Sequence, residues 1–263
     1  MKPSLTIIKV GGAVVEDEAQ LTQLLRDFTA IQGPKILVHG GGRRATKIAE
    51  RLGIETKMID GRRITDAEML EVVTMVYGGL VNKNVVARLQ ALGCNAIGLT
   101  GADANILLSQ KRPLKMVNGE PVDYGFVGDV MLAFGTKIDH FIDADLIPVI
   151  APLTHDGQGH MLNTNADTIA SETAKAMAAV GYDVTLIYAF EKPGVLRDAD
   201  DDNSVIATIN HADFETYKAD GTISGGMLPK IENALAAIDA GVKRVIITKA
   251  TAIDGQHGTV ITK

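Results

Sequence analysis

Residues 5–12, LTIIKVGG, decide how the chain folds. A run rich in β-branched residues enters a glycine pair without a break, the pattern of a buried strand closed by a tight turn. Lys9 sits inside that run, where a charge is costly unless something of opposite sign meets it. The same arrangement recurs along the chain. Apolar runs at 35–38, 95–99, 146–150, 184–188 and 242–248 read as further buried strands. Between them, residues 18–31, 45–52, 66–92, 137–144, 166–180 and 228–240 place apolar side chains at the three- and four-residue spacing of amphipathic helices. Strands alternating with helices predict an α/β fold, a three-layer αβα sandwich around a central, mostly parallel sheet. The middle departs from this rhythm. Between 107 and 132, short candidate strands broken by Asn118-Gly119, Tyr124-Gly125 and Gly128 predict hairpins, and 58–64 predicts another around Asp60-Gly61. These are expected to rim or lid the sheet.

Composition narrows the function. The 263 residues, 46% hydrophobic and 22% charged, suit one large globular domain or two lobes sharing a sheet. No apolar run approaches the roughly 20 residues that span a bilayer, and no leader pattern precedes the first strand, so a cytoplasmic protein is expected. Cys94 is the single cysteine. It excludes an intrachain disulfide or a cysteine zinc cage, and its apolar neighbours make it a small buried hydrophobe. His39, His140, His155, His160, His211 and His257 show no metal-ligand spacing. A net charge of −6 argues against nucleic acid or an anionic membrane as principal partner and favours a small ligand.

In parallel sheets ligands gather beyond the carboxyl ends of the strands. Three glycine clusters stand there: Gly11-Gly12, Gly40-Gly41-Gly42, and Gly225-Gly226 after Ser224, opening the last long helix. Bare N–H groups at such turns, helped by the helix dipole, suit an anion, and phosphate is the obvious one. Each pair taken alone is equally a plain strand-to-helix turn. Neither a phosphate loop ending in Gly-Lys-Ser/Thr nor a GxGxxG turn occurs. Lys9 and Lys230 flank these turns, and Lys230 falls in a first helical turn, where the dipole disfavours a cation. In Asn163-Thr164-Asn165-Ala166-Asp167, Asn165 reads as an N-cap, and Asp167 is either a first-turn acid or a carboxylate placed between the two lysines. Arg62 and Arg63 follow a predicted turn. A guanidinium there suits bidentate capture of a carboxylate.

Together IIKVGG (7–12), HGGG (39–42), GRRIT (61–65), NTNAD (163–167) and GGMLPKI (225–231) resemble the amino acid kinase family, in order and across essentially the whole chain. The resemblance implies the carbamate kinase-like fold of that family, a single domain over 1–263. Its N-terminal lobe, about 1–180, would bind substrate and dimerise, and its C-terminal lobe, about 181–263, would bind ATP. Lys9 and Lys230 would stabilise the transferring phosphoryl group, with Asp167 organising both. Gly41, Gly42, Arg63 and Asn163 would bind an N-acylglutamate. Gly11 and Gly12 would face the phosphates, with nucleotide contacts from Glu191, Gly194, Leu196, Ile223, Ser224 and Gly226. Mg²⁺ would arrive on the ATP phosphates rather than on protein ligands. Phe190-Glu191-Lys192-Pro193 stands where the family commonly has Thr-Asp before the turn.

The implied reaction is ATP-dependent phosphorylation of the γ-carboxylate of an N-acylglutamate, acetyl by default or a longer acyl such as succinyl, early in arginine biosynthesis. A γ-carboxylate with a pKa near 4.3 is already ionised at pH 7, so no general base is required. Another amino acid kinase, acting on glutamate, aspartate, carbamate or a nucleoside monophosphate, is the alternative enzyme. A silent amino-acid or nucleotide sensor is the alternative outside catalysis. Without the extra N-terminal helix of hexameric members, a homodimer lacking arginine feedback is expected.

Overall fold

The computed structural model describes residues 2–59, 61–117 and 119–263. Strand β1 (Ser4–Val10) leads through a short α1 (Gly12–Glu16) to α2 (Glu18–Ala30), β2 (Lys35–His39) and α3 (Gly42–Arg51). A small hairpin follows, β3 (Met58–Ile59) and β4 (Arg62–Arg63), then α4 (Ala67–Val73), a π-helical stretch (Thr74–Val81) and α5 (Asn82–Ala91). The middle contains β5 (Ala96–Leu99), β6 (Leu107–Lys111), β7 (Lys115–Val117), β8 (Glu120–Val122), β9 (Gly128–Ala133) and α6 (Gly135–Asp143). Next come β10 (Ile147–Ile150), β11 (Leu153–His155), β12 (Met161–Asn163), α7 (Ala166–Ala179) and β13 (Asp183–Phe190). The chain finishes with β14 (Thr208–Ile209), α8 (His211–Ala219), α9 (Met227–Asp239), β15 (Arg244–Lys249) and β16 (Thr259–Ile261).

The central sheet has eight strands in the order β14-β16-β15-β13-β1-β2-β10-β5. The six strands from β15 to β5 are mutually parallel, and β16 and β14 run against them. Alternation along β1 explains the layers. Leu5 and Ile7 face a core shared with Ile169 and Met177 of α7 and with Ile231 and Leu235 of α9. Ile8 and Val10 face the opposite core, with Leu24 and Phe28 of α2 and Val85 and Leu89 of α5. A sheet covered on both faces needs strands apolar throughout, which is why β2 is buried along its whole length. The αβα sandwich and each predicted central strand are present, with edges shifted by a residue or two. Cys94 lies in the second core, as its neighbours suggested.

The middle differs in detail from expectation. β6 and β9 join β11 and β12 in a four-stranded sheet, β12-β11-β6-β9, and β7 pairs only with β8. Tyr124-Gly125 is therefore no hairpin turn. Gly125, at φ +69°, instead crosses Thr65 so closely that a Cβ would stand 2.2 Å from the Thr65 carbonyl oxygen. Gly128 opens β9 rather than breaking a hairpin. Asp60 and Asn118, expected as turn residues, lie outside the described residues. The predicted helix over 66–92 is continuous, but residues 74–81 wind as a π-helix around Gly78-Gly79. Such wide turns recur at functional sites.

Candidate active site

Lys9 is the next-to-last residue of β1, in register between Tyr188 of β13 and Val38 of β2. Following Leu5 and Ile7, it points to the α7–α9 face, and its side chain is only 12% exposed. Burial there demands an anion, which α7 supplies. Asn165 caps α7 by accepting from the N–H groups of Asp167 and Thr168, fixing the first turn and with it the Asp167 side chain. Lys9 Nζ lies 2.7 Å from Asp167 Oδ1, and Lys230 Nζ lies 3.8 Å from Asp167 Oδ2. Burial by itself would push the Asp167 carboxyl up. The two ammonium groups outweigh it and hold the group below its ordinary value. Burial draws Lys230 down from the usual lysine value, opposed by Asp167 and aided by Lys9. Two buried ammonium groups thus share one carboxylate, leaving an excess positive charge at the carboxyl end of the sheet.

The glycine turns pack against each other beside this trio. A Cβ on Gly40 would stand 3.0 Å from Gly12 N, and one on Gly41 would stand 2.8 Å from Tyr77 Cδ1. Glycine is what permits that approach. α3 starts at Gly41 and α9 at Gly226, neither with a side-chain cap, whereas Asp17, Asp66, Asn165 and Asn210 cap α2, α4, α7 and α8. At α3 the first-turn N–H groups stay free to meet a ligand, whereas at α9 the Met227 and Leu228 N–H groups bond Ser224 O and Gly225 O and Pro229 has none. Below the loop, His39 Nδ1 donates to Gly40 O at 2.8 Å, while Asn82 Nδ2 donates to His39 Nε2 at 3.1 Å and to Val149 O at 2.9 Å. A carbonyl only accepts, so the network fixes a neutral imidazole protonated on Nδ1. Burial lowers His39 to about 4, the Gly40 carbonyl opposing and Lys83 adding to the fall.

A cavity of about 220 Å³ opens over these elements, walled by Gly40 to Gly42, Arg63, Tyr77, Arg112, Asn163 and Ala166 among others. Arg63 Nη2 donates to Gly42 O at 2.9 Å and to Thr46 Oγ1 at 2.8 Å, tying the hairpin to the start of α3. Asn163 Nδ2 donates to Thr65 Oγ1 at 2.9 Å. Arg62 also lines the wall. Sequence reading missed Arg112. Its Nε donates to Asp129 Oδ1 at 3.0 Å, and its buried Nη1 finds no partner among the described residues. Only folding brings this residue from beyond β6 to the cavity, so no local pattern could flag it.

A second cavity, about 280 Å³, shares Gly42 with the first and is lined by Gly11, Gly12, Arg43, Phe190 and Glu191. Gly194, Leu196, Ile223, Ser224 and Gly226 line neither cavity. Gly194 packs against Val205 and Thr259, Leu196 bridges Val205, and the Ile223 side chain is in the core. Among the described residues no group of three or more His, Cys, Asp or Glu side chains is arranged to hold a metal ion.

A buried ammonium pair organised by one carboxylate, beside glycine-lined cavities at the carboxyl edge of this sheet, is an arrangement suited to a phosphoryl-transfer class of protein. The sequence profile of the amino acid kinase family matches residues 4–249, and the chain belongs to that family. It is 64% identical over 263 residues to the acetylglutamate kinase of Bacteroides fragilis, a match covering 100% of this chain and 98% of that one. A crystal structure of a Streptococcus mutans protein superposes with TM-score 0.77 at 28% identity, covering 98% of each chain. Giardia lamblia carbamate kinase shares the fold at TM-score 0.69 and 15% identity, over 99% of this chain and 98% of the other.

Proposed function

We propose that the chain transfers the γ-phosphoryl group of ATP to the γ-carboxylate of N-acetyl-L-glutamate, an early step of arginine biosynthesis. The observation that carries this reading is the buried pair Lys9 and Lys230 on the single carboxylate of Asp167, which asks for further negative charge. Full-length similarity to an acetylglutamate kinase supports the substrate.

The acceptor carboxylate is ionised at neutral pH, so the obstacle is its repulsion by the polyphosphate and not a proton. Arg63 grips the α-carboxylate beside Gly41 and Gly42, and Asn163 holds the amino-acid portion. One γ-carboxylate oxygen attacks the γ-phosphorus in line as the bond to the bridging oxygen breaks, yielding an acyl phosphate and ADP. Lys9 and Lys230 stabilise the charge on the transferring phosphoryl oxygens, and the N–H groups of Gly12 and the start of α3 add to this, while the Gly11 N–H is taken by Ala189 O and Gly11 serves by allowing close approach. Asp167 aims both ammonium groups, and at Lys230 it opposes the loss of charge that burial favours. The donor set, ammonium groups and backbone N–H groups, fits phosphate oxygens. Mg²⁺ carried on the ATP would neutralise part of their charge.

Nucleotide binding falls to the second cavity, with Glu191 at its rim, and the remaining predicted contacts, Gly194, Leu196, Ile223, Ser224 and Gly226, act through their loops. Sheet order supports the division into a substrate lobe (about 1–180) and an ATP lobe (about 181–263): β13 to β16 fill one side of β1, and β2, β10 and β5 the other. A homodimer is part of the same proposal, with exposed Met75 and Leu80 of the π-helical stretch as apolar surface for a second copy. A cytoplasmic site of action is also proposed; no described helix is long and apolar enough to cross a membrane.

ADP release with N-acetyl-L-glutamate, N-succinyl-L-glutamate, L-glutamate and L-aspartate side by side tests the reading. N-acetyl-L-glutamate is expected to be turned over with the highest kcat/KM. Turnover of a free amino acid alone, or of none of the four, would overturn it.

A further inference from the structure

Asp167 does not hold its two lysines equally. Lys9 is at 2.7 Å, but Lys230 is at 3.8 Å, beyond good hydrogen-bond distance. Lys230 also stands in the first turn of α9, where the helix dipole repels a cation. Its side chain is only 16% exposed, so water does little to compensate. Something else must hold this ammonium group in place.

That neighbour is on β13. Tyr188 and Phe190 alternate onto the face occupied by α7 and α9, Tyr188 within that core and Phe190, partly buried, packed against it. Tyr188 donates its hydroxyl to the Asp167 carbonyl at 3.2 Å, bracing the first turn of α7. Phe190, two residues on, presents its ring to Lys230, with Nζ 5.2 Å from the ring centroid. Ladder pairing with β15 and the Ala250 N–H bond to Phe190 O at 2.9 Å fix the backbone under the ring. Phe190 also lines the second cavity with Gly11 and Gly12, so the ring stands beside the proposed phosphate site.

The geometry points to Phe190 as a positioning residue that holds the Lys230 ammonium by a cation–π contact, aimed between the ring and Asp167 until phosphate oxygens arrive. This rests on the kinase reading for its catalytic consequence, but the contact itself does not. The negative face of an aromatic ring attracts a cation within about 6 Å, and more strongly where water is scarce. Aliphatic packing of equal volume would supply burial without that attraction. The inference also gives a use to the Phe190-Glu191 sequence found where the family commonly has Thr-Asp.

Fluorination drains the ring's negative face while keeping its shape. The full chain is made with 4-fluoro-, 3,5-difluoro- and 3,4,5-trifluorophenylalanine at position 190. Steady-state kinetics use ATP and N-acetyl-L-glutamate, and the Lys230 ¹³Cε resonance, assigned with Lys230→Met, is titrated by NMR. The expected result is a stepwise fall in kcat with each fluorine, reaching about tenfold for the trifluoro ring, with KM for ATP changed less than about twofold. The Lys230 titration midpoint moves down in the same order. Unchanged kcat across the series with an unmoved midpoint overturns the inference. If the unmodified protein releases no ADP, the kinase reading fails, and the NMR midpoint still decides the contact. Phe190→Tyr, which keeps a π face, is expected to retain more of the kcat and a higher Lys230 midpoint than Phe190→Leu; equal behaviour of these two variants would also refute it.

Discussion

Replacing Asp167 by Asn keeps the side chain's shape and removes its charge. The carboxylate lies 2.7 Å from Lys9 Nζ and 3.8 Å from Lys230 Nζ. At an effective dielectric constant of about 20, one such pair has a gross attraction of about 4 kcal/mol, most of it offset by desolvation. The larger consequence is what remains, two buried ammonium groups with no counter-ion. Breaking a buried pair from one side costs about 3–5 kcal/mol, which in a chain of this size lowers Tm by about 10 °C. The loss has a pH signature. Unfolded Lys230 holds its proton up to about pH 10.4, while native Lys230, drawn down by burial and without Asp167 to oppose the fall, releases it at lower pH, so the variant regains stability as pH rises through the alkaline range. Wild-type Asp167, held below its ordinary value, contributes stability that is present above the ordinary carboxylate range and lost as pH falls through its native value. A non-hydrolysable ATP analogue should raise Tm more in Asp167→Asn than in wild type, because its phosphates restore the missing negative charge. Turnover should fall about 10²- to 10³-fold, the scale of losing an organised electrostatic group. Differential scanning calorimetry from pH 6 to 10, with and without the analogue, together with kcat from ADP release, checks each part. A variant within about threefold of wild-type kcat and about 2 °C of its Tm would refute the reasoning.

Arg63→Lys loses the planar fork whose Nη2 reaches Gly42 O and Thr46 Oγ1 and whose Nη1 reaches Thr56 Oγ1, so KM for N-acetyl-L-glutamate should rise about tenfold or more with kcat little changed, read by initial rates. Gly41→Ala places a Cβ 2.8 Å from Tyr77 Cδ1 and should cost about 1–3 kcal/mol in urea unfolding. His39 titrates near about 4 in the native protein and near 6.5 when unfolded, so the unfolded chain binds the extra proton in between. Stability should therefore fall by about 2 kcal/mol from pH 6.5 to 5, and this slope should be absent in His39→Gln, measured by urea unfolding.

Strands, helices and their layering were legible because both faces of the sheet are covered: β1, β2 and β13 read as apolar runs, and α2, α7 and α9 keep a helical spacing. Lys9 stood out for the same reason, as a charge inside an apolar run. α8 was overlooked although Asn210 and Asp213 form a capping box at its start, a signal that propensity alone does not weigh. β14 and β16 are too short to show a period. The π-helical turn left no mark, since Gly78-Gly79 inside an apolar helix fits an ordinary α-helix equally well. Arg112 and the Phe190–Lys230 contact arise from elements distant in sequence, and no local spacing encodes them. Lys230 and Asp167, by contrast, were legible once the glycine turns had marked the carboxyl ends of the strands.

Trapping the product with hydroxylamine tests the central claim most directly. An acyl phosphate formed at the γ-carboxylate is captured as a γ-glutamyl hydroxamate. With ATP, Mg²⁺ and N-acetyl-L-glutamate, wild type should yield one hydroxamate per ADP, at a rate unchanged from about pH 6 to 8 because no base must lose a proton. Lys9→Ala and Lys230→Ala should each form it at least about 10²-fold more slowly. ADP released without hydroxamate, or hydroxamate formed at the wild-type rate by Lys9→Ala, would contradict phosphoryl transfer by this lysine pair.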